Sequence, residues 1–90
     1  MSQYYVRNLH ENRPGNWIRF WEEQTGLKAG KCHRVGCNAV ADDGAHVQLV
    51  FGNSMKWYIV PLCHTCNCQF GASFWVEGPL VPVNGGAILW

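Results

Sequence analysis

Two cysteine pairs constrain this chain more than any other feature: Cys32 with Cys37 and Cys63 with Cys66, separated by 25 residues between Cys37 and Cys63. Two short knuckles can bring four sulfurs to one point. Tetrahedral zinc takes such a donor set at about 2.3 Å from each sulfur. A disulfide framework is the rival, but the five cysteines cannot all pair within one chain, and no secretion signal accompanies them. The spacing therefore predicts one structural Zn2+ on Cys32, Cys37, Cys63 and Cys66. Cys68 is the odd thiol, either buried or competing with Cys66 as the fourth ligand.

A chain of 90 residues has room for one domain and not for two cores, so residues 1–90 are read as a single zinc-binding unit. Domains of this size bury a modest share of their surface and gain much from a metal staple. The hydrophobic content of 48%, with five Trp, still supplies a real core and argues against disorder. Seven Lys plus Arg against six Asp plus Glu give a formal charge of +1, and zinc on four thiolates shifts that by about −2. A near-neutral fold lacks the basic excess that drives non-specific phosphate binding. A local patch remains, since Arg19, Lys28, Lys31 and Arg34 flank the first cysteine pair, with Glu22 and Glu23 among them.

No run approaches the roughly 18 apolar residues of a spanning helix, so no membrane segment is expected. Residues Met1 to Arg7 do not form a signal peptide. Together with the cysteine usage, this predicts a reducing, cytoplasmic setting.

Residues 1–15 read as an N-terminal arm in which Tyr4 to Val6 are expected to pair as an edge strand. The arm ends in the turn signal Asn12-Arg13-Pro14-Gly15. The pattern over 16–26 predicts an amphipathic helix: Asn16 caps it, Trp17, Phe20 and Trp21 share a face, and Gly26 stops it. His46 to Phe51 and Trp57 to Val60 predict an antiparallel hairpin around Gly52-Asn53-Ser54-Met55. On its first arm Val47, Leu49 and Phe51 share one face, and His46 and Gln48 the other.

Gly71 limits any helix at Cys63 to a short one. Phe74 to Val76 and Leu80 to Val83 predict two more strands in the C-terminal segment 68–90, and Ala87 to Trp90 are apolar enough to dock. Within the knuckles, His33 and His64 are expected to point to solvent. His46 is open to three roles: a hydrogen-bonded histidine at a strand start, a zinc ligand, or a general base.

Residues 32–67 resemble the HNH and treble-clef zinc-finger superfamily. The likeness is carried by Cys32 and Cys37, by Gly44-Ala45-His46-Val47 entering the hairpin, and by Ile59-Val60-Pro61-Leu62-Cys63-His64-Thr65-Cys66-Asn67. It implies an α+β, zinc-stapled, treble-clef-like domain with a central β-hairpin, an N-terminal helix and short C-terminal strands. It also implies that His46 stands at the general-base position and Asn67 at the final metal-ligand position of a nuclease site. The pattern departs elsewhere: Ala45 stands where the acidic residue belongs and Tyr58 where the middle Asn belongs. A second divalent cation, needed only by a nuclease, would lose an anionic oxygen ligand unless Asp42 or Asp43 swings in from the preceding loop.

Complete structural ligands with an incomplete reaction site predict a non-catalytic binding module that engages a protein partner, a second copy of itself, or nucleic acid. The candidate contact residues are Trp57, Tyr58, Phe74 and Trp75, with Arg19, Lys31 and Arg34 as the basic component. The alternatives are an active HNH-type endonuclease using His46 and Asn67, and a small phage or mobile-element inhibitor protein.

Overall fold

The computed structural model describes residues 2–10, 14–52 and 55–90. Asn12 and Arg13 of the predicted first turn, and Asn53 and Ser54 of the predicted hairpin loop, lie outside them. Five strands and two helices follow in the order β1 (Gln3–Asn8), α1 (Trp17–Thr25), β2 (Asp43–Leu49), β3 (Tyr58–Leu62), α2 (His64–Asn67), β4 (Ser73–Glu77) and β5 (Val81–Pro82). The strands form one antiparallel sheet in the order β4-β1-β2-β3-β5. This is the expected α+β class.

β1 is not an edge strand, as its composition had implied. It lies between β2 and β4, with Val6 opposite both Leu49 and Phe74. Tyr4 and Val6 pack inward with Phe74 and Val76, and burial on that face outweighs the polar content of the strand. The two C-terminal strands, adjacent in sequence, end at opposite sides of the sheet. β4 pairs with β1, β5 pairs with β3, and the tail docks as expected through paired Leu80 and Leu89 backbones.

The hairpin forms with Val47 opposite Tyr58 and His46 opposite Ile59. It alternates as strand geometry requires: Ala45, Val47, Tyr58, Val60 and Leu62 enter the main core, whereas Ile59 joins Trp21 and Val81 on the other face. Phe51 does not continue the inward row. It lies beyond the strand end, exposed, with its ring 5.8 Å from that of Tyr5.

The segment after Cys32 joins parts of the sheet that the strand order separates. His33 N donates to Pro61 O in β3, while Glu77 N donates to His33 O and Val35 N to Trp75 O, both in β4. The first knuckle thus bridges the two sides of the sheet and satisfies backbone groups that an open edge would expose.

α1 begins at the predicted cap, with Asn16 Oδ1 accepting from Arg19 N at 3.1 Å, and ends at Gly26, whose φ of 73° is the left-handed turn that glycine adopts at least cost. Trp21 is its fully buried residue, with Trp17, Ile18 and Phe20 packed alongside. The helix lies directly on β2 at Gly44. A Cβ there would stand 2.5 Å from the Trp17 carbonyl carbon and 2.6 Å from Ile18 N. Gly44→Ala is accordingly expected to push α1 off the sheet and cost about 1–3 kcal/mol. The measurement is a lower urea midpoint at saturating zinc with an unchanged slope.

Candidate metal centre

Cys32 lies in a small loop closed by Cys32 N to Ala39 O at 2.7 Å and Ala41 N to Gly30 O at 3.0 Å. Within it, Cys37 N donates to Arg34 O at 3.0 Å, and Gly36 takes the positive φ of 88° that the tight turn requires. The second pair flanks the single turn of α2. Cys63 is its N-cap, with Sγ accepting from Cys66 N at 3.5 Å. The Sγ atoms of Cys32, Cys37, Cys63 and Cys66 all lie within 4.8 Å of one another. Among the described residues this is the one group of three or more His, Cys, Asp or Glu side chains close enough to share an ion.

The donor set fits zinc. Tetrahedral legs of about 2.3 Å place sulfur pairs roughly 3.8 Å apart, and Cys37 Sγ and Cys63 Sγ stand 3.9 Å apart. All five cysteines are free thiols, and that separation is far beyond a disulfide bond of about 2.05 Å. Burial pushes the Cys32 thiol up from 9.0 to about 12 and raises Cys66, whereas the Ala39 N–H lowers Cys37. Without a cation, two buried thiols therefore hold their protons. A dication among the sulfurs reverses that preference by stabilising thiolates. Arg34 adds positive charge from outside, with Nη1 3.9 Å from Cys66 Sγ and 2.9 Å from Gln69 Oε1.

Cys68 takes no part in the cluster. It is exposed, with Sγ 3.4 Å from His64 Nε2. His64 is on the surface as expected, and its Nδ1 lies 2.9 Å from Asp43 Oδ2. His33 does not point to solvent. It is half-buried, with Nδ1 2.9 Å from Glu77 O, Nε2 3.3 Å from Ala29 O and its ring edge-on to Trp21. The knuckle carries this ring inward because the backbone on either side of it is bonded to β3 and β4.

His46 is buried and stands apart from the four sulfurs, its ring 5.0 Å from Trp17 and 6.3 Å from Trp57. It nevertheless shares a cavity of about 520 Å³ with Asn67, Asp42 and Asp43. Asp43 Oδ2 accepts from Asn67 Nδ2 at 3.0 Å, and Asp42 Oδ2 accepts from His64 N at 3.2 Å. The carboxylates missing at position 45 therefore enter from the start of β2, engaged with the second knuckle.

Of the candidate contact residues, Tyr58 and Phe74 belong to the core and Trp57 is half-buried, while Trp75 is 49% exposed. Arg34 covers the Phe74 ring at 4.4 Å, and Arg19 pairs with Glu23 on α1 at 3.6 Å. Lys31 sits at the mouth of the first knuckle opposite Val40.

Sequence reasoning missed Asn8. Fully buried, it donates from Nδ2 to Asn67 O at 2.7 Å and to Gln69 O at 3.3 Å, tying the end of β1 to the second knuckle. A lone Asn at a strand end gives no local sign of that task.

No protein-family model matches the chain, and neither the curated proteins nor the solved structures compared with it provide a match. No helix among the described residues is long and apolar enough to cross a membrane.

Proposed function

We propose that this chain is a non-catalytic binding module stapled by one structural zinc, a degenerate relative of the HNH and treble-clef fingers that works in a reducing, cytoplasmic setting. The convergence of four sulfurs within 4.8 Å carries this reading. Its two knuckles supply the hydrogen bonds that hold β3, β4 and the end of β1 together, so the metal acts on the fold as a whole.

The position of α1 supports a non-catalytic role. The helix lies across the half of the sheet face that bears His46, with the Trp17 ring edge-on to the imidazole. A general base must reach a substrate proton to within hydrogen-bonding distance. The nearby carboxylates already accept from His64 and Asn67, and among the described residues no group of three His, Cys, Asp or Glu side chains other than the four cysteines comes close enough to share an ion.

The nuclease reading draws on one observation, the cavity shared by His46, Asn67, Asp42 and Asp43. Purified zinc-loaded protein is expected to leave plasmid and RNA intact in magnesium, manganese or nickel. Cleavage that vanishes in His46→Ala and persists in Arg19→Ala would establish the enzyme and overturn the module.

A further inference from the structure

The four clustered sulfurs are not equivalent. Cys32, Cys63 and Cys66 are 1%, 6% and 6% exposed and belong to the main core, whereas Cys37 is half-buried and only packs against that core. Chain position explains the difference. Cys32 leads into the limb bonded to β3 and β4, and Cys63 and Cys66 flank the turn of α2. Cys37 instead stands at the outer bend of the first knuckle, where Val35, Gly36, Asn38, Ala39 and Val40 around it are all exposed. Cys66 has a further neighbour: Arg34 Nη1 lies 3.9 Å from its sulfur, with the guanidinium seated over the Phe74 ring.

Cys37 also has a sulfur within reach. Cys63 Sγ stands 3.9 Å from Cys37 Sγ, so a disulfide between them requires an approach of roughly 2 Å. The exposed bend around Cys37 can supply that movement without repacking the core, while Cys63 stays fixed between β3 and α2. Such a bond takes one ligand from each knuckle. Cys32 and Cys66 are then left as half of a tetrahedral donor set, too few to hold zinc.

We infer that Cys37 is an oxidation site through which hydroperoxides unload the metal centre, with Cys63 as its resolving cysteine. Redox-sensing cysteines are accessible and poised beside a second thiol, and Cys37 alone among the four sulfurs combines an exposed setting with such a neighbour. In the first step the Cys37 thiolate attacks the peroxide: the O–O bond breaks, an S–O bond forms, and hydroxide leaves a sulfenic acid behind. In the second, the Cys63 thiolate attacks the Cys37 sulfur: an S–S bond forms, the S–O bond breaks, and a second hydroxide departs. Each cysteine has lost one electron and the peroxide has gained two. The inference rests on the zinc-module reading and makes that module responsive to oxidants.

The test treats zinc-loaded protein with hydrogen peroxide, reading zinc release with a chromogenic chelator and cysteine chemistry by dimedone labelling and peptide mapping. Among the four clustered cysteines the first sulfenic label is expected on Cys37, and zinc is expected to leave in step with a Cys37–Cys63 crosslink. Dithiothreitol with added zinc should restore both the metal and the unfolding transition, because sulfenic acids and disulfides are reversible. Cys68→Ser should release zinc at the unsubstituted rate. Cys37→His keeps four side chains able to bind zinc, and it should release the metal about tenfold more slowly, since an imidazole forms no disulfide. Cys66→His, the matched ligand exchange, should keep the fast release.

Zinc content before treatment separates the two possible failures. Protein that takes up no zinc sinks the module reading itself. Zinc-loaded protein that keeps its metal in peroxide overturns the switch alone. So does a first label on Cys32, Cys63 or Cys66, a release that requires Cys68, or equal release from Cys37→His and the unsubstituted chain. The labelling order in the unsubstituted chain decides the question even where Cys37→His fails to load.

Discussion

Chelation, or replacing one of the four clustered cysteines with Cys63→Ser, is expected to abolish cooperative unfolding of this chain. Structural zinc in small domains supplies an apparent free energy of about 10–16 kcal/mol near neutral pH, comparable to or larger than the roughly 5–15 kcal/mol net stability of a whole domain. The effect is expected to be large because the four cysteines are also structural joints. Cys32 precedes the limb that bonds to β3 and β4, and Cys63 caps α2, whose end is tied to β1 by Asn8. Cys32, Cys63 and Cys66 are themselves buried members of the main core. Without the dication, the buried Cys32 and Cys66 thiols hold their protons inside that core, and the four sulfurs lose the charge that draws the two knuckles onto one point.

Elemental analysis is expected to give one zinc per chain, and Cys63→Ser to lose both metal and the unfolding transition. Thiol titration offers an independent measurement. The loaded protein should show one rapidly reacting cysteine, exposed Cys68, and five after chelation. A chain that folds cooperatively without metal would refute the zinc assignment.

Legibility in the sequence follows the range of the forces involved. The helix ends were readable because Asn16 and Gly26 act on backbone groups within a few residues. The convergence of the four cysteines was readable because knuckle spacing is itself local chemistry. Strand order was not, since β1 reaches its place between β2 and β4 only through partners more than 35 residues away in sequence. The same distance hid the bridging role of His33 to Val35 and the burial of Asn8.

The aromatic surplus was visible, but its sorting was not. Tyr58 and Phe74 face the core, whereas Tyr5, Phe51 and Trp75 meet on the outside because β1, β4 and the segment after β2 bring them side by side. The resemblance to a nuclease site had drawn attention to Ala45 as a missing acid. Asp43, three residues before His46, enters the same cavity from the start of β2. That placement depends on the hairpin register, Asp43 opposite Leu62 beside the second knuckle.

Trp21→Ala is expected to destabilise the zinc-loaded protein by about 3–5 kcal/mol, the usual range for emptying a buried aromatic site. Trp21 is 1% exposed and joins three parts of the fold: its indole packs with Ile59 and Val81 under α1, its Nε1 donates to Pro79 O at 2.9 Å, and its ring faces His33 edge-on. The hydrogen bond and the packing can be separated. Trp21→Phe keeps most of the apolar volume but leaves the Pro79 carbonyl without its donor, a loss of about 1–3 kcal/mol.

Both variants should be unfolded by urea at a fixed, buffered zinc concentration, because ligand concentration alone moves the apparent stability. The more discriminating result concerns the metal. His33 directly follows ligand Cys32, and its ring is held between Ala29 O, Glu77 O and Trp21. Loss of the indole therefore loosens the first knuckle, and Trp21→Ala should release zinc to a competing chelator faster than Trp75→Ala, whose ring is half exposed on the opposite part of the sheet. Equal release from the two variants would mean that α1 stabilises the sheet without reaching the metal centre.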